Sequence, residues 1–171
     1  METTVLIFPE PITADRILFL TSKGIDRDIA SIDLEMVKMK LCQPKEGIGW
    51  TRDQAEDAEI EYKRYLHLCR HYPYPQYSIV PNKIMDTIWH YHILDTKAYH
   101  KDCMQVFGRY IHHYPYFGLR GKEDAQNLAS AFQKTRQLYL KEFGEDIAHH
   151  REGDCWHECQ DQCWHDCDNR Q

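Results

Sequence analysis

Ala55, Ala58, Tyr62, Tyr65, Cys69 and Tyr72 recur at steps of 3, 4, 3, 4 and 3, a spacing that the turn of an α-helix places on one face. Immediately before them stand Thr51 and Gln54, the pair of a capping box in which each side chain satisfies the other residue's free backbone N–H. Pro73 and Pro75 close the run, because proline cannot donate to the helical ladder. A long helix ending near His71 is therefore expected, and its apolar stripe must be buried by the rest of the chain. The opposite face carries Asp53, Glu56, Asp57, Glu59, Glu61, Lys63 and Arg64 and reads as solvated surface.

The same period returns on both sides. Ile25, Ile29, Ile32, Met36 and Met39 repeat at 4, 3, 4 and 3, predicting a core-facing helix that stops before Pro44. Asn82 can cap a helix carrying Ile84, Met85, Ile88, Trp89, Tyr99, Cys103, Val106 and Phe107 as far as Gly108. Another begins near Asp124, with Leu128, Ala131, Phe132, Thr135, Leu138, Tyr139 and Phe143 on one face and Gly144 as its stop. Ile17 to Leu20 offers one or two turns more. Since no segment alternates as a strand does, the chain is expected to form an all-α, bundle-like single domain of about four main helices. The expected domain covers residues 1–148, with a His-rich loop after Gly108, and residues 149–171 form an acidic Cys/His-rich tail, mobile or ordered by metal. A chain of 171 residues is long enough to bury roughly two thirds of its unfolded surface without a staple.

Charge narrows the partners. The net charge is −6, and the tail sets six acids against Arg151 and Arg170. No basic stripe is present to release counterions from a phosphate backbone, which argues against a nucleic-acid partner. METTVLIFPEPITADRILFL lacks a basic segment followed by a continuous apolar run, so neither signal peptide nor membrane span is read and the expected compartment is the cytoplasm. Cys42, Cys69 and Cys103 stand alone on helix faces and read as buried thiols.

Candidate chemistry is concentrated in one stretch, where five of eleven histidines (His90, His92, His100, His112, His113) lie within 24 residues. Asp86 and His90 are one helical turn apart and can form an acid–base pair in which the carboxylate fixes the imidazole tautomer. His92 points away from His90, because two residues rotate a helix by roughly 200°. The expected ligand set is therefore His92 joined by one or both of His112 and His113, which the loop after Gly108 can return to the helix. Such a set suits zinc or non-haem iron with a position left for water or a small-molecule substrate. Histidines satisfied within a core are the competing reading. His67 and His71, at i and i+4, can also hold a metal, although a favourable dipole position at a helix C-terminus is the preferred reading.

MDTIWHYHILDTKAYHKDC followed by FGRYIHHYPYFG resembles the Asp-x-x-Trp-His-x-His stretch of the glycine-rich domain-containing protein-like family, found as small bacterial proteins and as the N-terminal part of larger plant proteins. The similarity extends more loosely over about residues 50–144 and includes EYKRYL and the FG near the end of the fourth helix. It implicates Asp86, Trp89, His90, His92, His112 and His113 but implies no activity. With only eight glycines in the chain, no glycine-rich region follows, so the stress-response and RNA-related roles of plant members do not carry over.

The tail repeats the unit Cys-Trp-His-acid-Cys, setting Cys155, Cys159, Cys163 and Cys167 four residues apart with His157 and His165 beside them. On one straight helix these thiols span about 18 Å. Either each unit binds its own ion or the segment bends round one, and thiolates favour zinc, copper(I) or an iron–sulfur cluster. Local disulfides, an inert tail, or a folded leader presenting a cysteine peptide to a modifying enzyme are the other readings. The expectation is a metal-binding protein in metal or redox handling. A zinc- or iron-dependent enzyme is one alternative, and a structural or interaction module is another.

Overall fold

A computed structural model describes residues 9–147, which form seven α-helices and no strand. They are α1 (Ala14–Ser22), α2 (Arg27–Ala30), α3 (Glu35–Leu41), α4 (Arg52–His71), α5 (Lys83–Leu94), α6 (Thr96–Phe107) and α7 (Lys122–Phe143). The all-α expectation holds. Among these residues, no helix is long and apolar enough to cross a membrane.

α4 is the central element, with α2, α3, α5 and α7 packed around it. It begins where the sequence places it: Thr51 Oγ1 accepts from Gln54 N at 3.2 Å, and Thr51 N donates to Gln54 Oε1 at 2.8 Å. The turn before it depends on Gly47, where a Cβ would lie 1.9 Å from the Lys40 carbonyl oxygen. Ala55, Ala58, Tyr62 and Tyr65 are buried against Leu20, Ile29, Leu34, Leu41, Met85 and Ile88, each large side chain contributing roughly 1.5–3 kcal/mol. Asn82 caps α5 by accepting from Met85 N at 2.8 Å. Gly108 and Gly144 end α6 and α7 in the left-handed conformation, at φ 66° and 70°, which glycine adopts without a Cβ clash.

Two expected helices are broken. The one read from Ile25 to Leu41 divides into α2 and α3, because Lys63 Nζ takes the Ala30 and Ile32 carbonyls at 2.9 and 2.7 Å. Those acceptors are drawn out of the helical ladder. Asp33 then accepts from the Glu35 and Ile12 amides at 3.0 and 3.3 Å. The helix read from Asn82 to Gly108 breaks at Asp95, whose φ and ψ are −82° and 75° and whose side chain accepts from Ala98 N as the cap of α6. α6 turns back to pack on α5.

The charged face of α4 is the larger correction. Glu59 and Lys63 are fully buried and Glu61 and Arg64 nearly so. Glu59 accepts from Lys38 and Arg16, each at 2.8 Å, and from Lys63 at 2.7 Å, joining α1, α3 and α4. Burial pushes the Glu59 carboxyl up, but the Lys63 and Lys38 ammonium groups outweigh it and hold the group at about 2. Arg64 donates to the Lys23 carbonyl, to Tyr139 and to Glu145, tying α4 to α7. Only packing on more than one side of α4 makes such a face internal.

Candidate metal centre

α5 presents Asp86 and His90 one turn apart, and the loop after α6 brings His113 to them. Its path is pinned from the core: Trp89 Nε1 donates to Tyr99 Oη at 2.8 Å, and Tyr99 O–H donates to the Ile111 carbonyl at 2.6 Å. Two residues on, the His113 ring lies 4.5 Å from the Trp89 ring and 4.5 Å from the His90 ring, centre to centre.

Three donor atoms converge there. His113 Nε2 is 2.8 Å from Asp86 Oδ1 and 3.1 Å from His90 Nε2, and His90 Nε2 is 3.8 Å from Asp86 Oδ2. A proton on His113 Nε2 can serve Asp86, but the His90 nitrogen then meets the same N–H from the side. A cation among the three answers all of them. Metal–nitrogen bonds of 2.0–2.1 Å in tetrahedral geometry set ligand atoms roughly 3.3 Å apart, a value that the observed separations bracket. His113 is mostly covered, whereas the side chains of Asp86 and His90 are 36% and 50% exposed, so the cluster opens to solvent on their side.

The predicted partnership of His92 with His112 and His113 does not assemble. His92 is 1% exposed, lying inside the fold where α4 and α6 reach it. Its Nε2 is 3.0 Å from Asp102 Oδ2 and its Nδ1 is 3.0 Å from Tyr62 Oη. A carboxylate only accepts, so Nε2–H donates to Asp102, and in the neutral ring Nδ1 then accepts the tyrosine proton. Both nitrogens are taken. His112 is exposed against the Tyr110 ring, 4.9 Å between centres. The expected Asp86–His90 pair does share one face, but His113 stands nearer Asp86 than His90 does.

No local signal in the sequence marks Asp102, since it meets His92 only because the chain folds back at Asp95. Of the isolated thiols, Cys103 is buried and Cys42 and Cys69 are partly covered. Burial pushes Cys69 up to about 12 and raises Cys103 and Cys42, which keeps all three as thiols near neutral pH. The tail donors Cys155, Cys159, Cys163, Cys167, His157 and His165 lie outside the described residues.

Fold and cluster together define an all-α protein with a two-histidine, one-carboxylate group on the outer side of a helical hairpin. The chain belongs to the UCP032817-like family, whose model matches residues 34–150. That span holds Asp86, His90 and His113 and begins after α2. No curated protein and no solved structure matches the chain.

Proposed function

We propose that the protein is a metal-binding protein in which Asp86, His90 and His113 hold a divalent transition metal, zinc or iron(II). The observation that carries the reading is the convergence of three donor atoms from α5 and the loop after α6 on one point, on a frame held by the Trp89–Tyr99–Ile111 hydrogen bonds. Two imidazoles and a carboxylate suit both metals and leave positions for water or another ligand. The exposed side of the cluster favours exchange of metal or ligand over a closed structural site, in keeping with metal or redox handling in the cytoplasm. The thiol-rich tail supplies a softer donor set, for zinc or copper(I), to which an ion can be passed. The likeness of the Asp86–His92 stretch to the glycine-rich domain-containing protein-like family belongs to the same proposal.

The solvent-facing positions also favour a second reading, a metal-dependent enzyme acting on a small substrate, with Asp86 or His90 released for proton transfer.

The test is elemental analysis of the untagged full-length protein after loading with zinc, and with iron(II) without oxygen. It compares wild type with His113→Ala, Asp86→Asn and a variant with serine at the four tail cysteines. Loss of a metal equivalent in the first two variants and its retention in the third is expected. Unchanged metal content in both His113→Ala and Asp86→Asn would sink the proposal and leave the cluster as a hydrogen-bonded surface group.

A further inference from the structure

A second group of donors stands where α2 meets the end of α4. Asp26 is the residue that opens α2, and His67 and His71 lie one turn apart at the end of α4. His71 Nε2 is 2.9 Å from Asp26 Oδ2, and His67 Nδ1 is 3.5 Å from Asp26 Oδ1. The two imidazole rings are 4.2 Å apart, centre to centre. These separations again bracket the roughly 3.3 Å between ligand atoms of a tetrahedral metal.

One atom in this group is anomalous. His67 is 7% exposed, and its Nδ1 is buried without a hydrogen-bond partner while facing the Asp26 carboxylate. Buried polar atoms are nearly always paired, and an orphan aimed at a carboxylate asks for something between the two. Its neighbourhood is otherwise organised. Arg70 forks onto Asp28 through both terminal nitrogens and reaches Asp26 Oδ2 at 3.0 Å with one of them. Its remaining bond goes to the Val106 carbonyl at 2.6 Å. Arg70 is thus committed chiefly to Asp28, leaving Asp26 to face the imidazoles. Phe143 covers the other side of His67, 5.4 Å between ring centres. Glu142 adds negative potential at both imidazoles, and Tyr72 O–H donates to it.

We propose that Asp26, His67 and His71 form a second metal site, for a divalent ion of the imidazole-preferring class such as zinc, which clamps α2 to the end of α4. The ion takes the His67 Nδ1 lone pair and a carboxylate oxygen on its buried side and His71 on its outer side. Its remaining position opens beside a surface groove lined by Ile17, Arg27, Asp28, Ser31 and Arg70. Asp26 precedes the family-matched span whereas His67 and His71 lie within it. The site therefore fastens the first two helices of this chain to the family core.

The experiment uses full-length protein carrying His113→Ala and serine at Cys155, Cys159, Cys163 and Cys167, stripped with a chelator and titrated with zinc by calorimetry. This background removes one of the three ligands of the Asp86 centre and all four tail thiols, and the two further substitutions touch neither site, so a change in affinity between background and variants reads the Asp26 group alone. Zinc binding that weakens at least about tenfold on adding either His71→Ala or Asp26→Asn is expected, together with a zinc-induced rise in the thermal midpoint that both changes abolish. His71 is half exposed and Asn is isosteric with Asp, so both variants should fold, and circular dichroism without metal checks this. Absence of zinc binding in the background protein overturns the proposal. So does equal affinity with and without the two substitutions.

Discussion

His92 and His113 come from one histidine-rich stretch, yet their nitrogens meet opposite environments. His92 joins Tyr62 to Asp102 inside the fold, where removing it strands a buried hydroxyl and a mostly buried carboxylate. His92→Ala is expected to cost roughly 2–5 kcal/mol, read as a lower urea midpoint, with the metal content of the Asp86 centre unchanged. His113→Ala should do the reverse, losing that metal while costing only about 1 kcal/mol. Loss of metal without loss of stability in His92→Ala would show that the two roles had been exchanged. Local spacing could not tell these histidines apart, because a neutral imidazole in a core and one on a metal carry the same sequence signature.

The two expected helices that break are divided by side chains rather than by prolines. Asp95 ends α5 by capping α6, and the resulting hairpin brings Asp102 to His92 and leads the chain round to His113. Asp95→Ala is expected to cost about 1 kcal/mol and to weaken metal binding at the Asp86 centre, since the loop after α6 starts from a looser hairpin. Zinc titration beside urea unfolding measures both effects. Lys63 divides α2 from α3 by taking the carbonyls of Ala30, the last residue of α2, and of Ile32 in the break. Lys63→Met removes that donor and leaves Glu59 buried with fewer cations, at a cost of roughly 3–5 kcal/mol. A stability loss below 1 kcal/mol in denaturant unfolding would mean that water takes the place of the ammonium group.

At the scale of the whole molecule, the buried ion network gives stability a definite dependence on pH. Glu59 is held at about 2 against an ordinary 4.5, so the unfolded chain binds its proton first as pH falls. Its contribution is fully present above pH 4.5 and drains away toward about pH 2, amounting to roughly 3 kcal/mol. Glu35 and Asp28 are also held low, burial opposing their Lys38, Arg52 and Arg70 partners, and they act in the same direction. Urea midpoints measured from pH 7 downward should fall through this window, and Glu59→Gln should flatten the fall from a lower starting stability. A wild-type midpoint that stays level through the window would contradict the ionised network. Helix content, the caps at Thr51 and Asn82, the glycine stops at Gly108 and Gly144, and the shared face of Asp86 and His90 were all legible in the sequence. Each is decided by groups a few residues apart, through backbone hydrogen bonds and the helical period. The sequence could not show that half the charged face of α4 is internal, that His113 reaches Asp86 from 27 residues away, or that His71 meets Asp26 from 45. Those pairings depend on where helices break and how they stack, which is set by the packing of several elements at once.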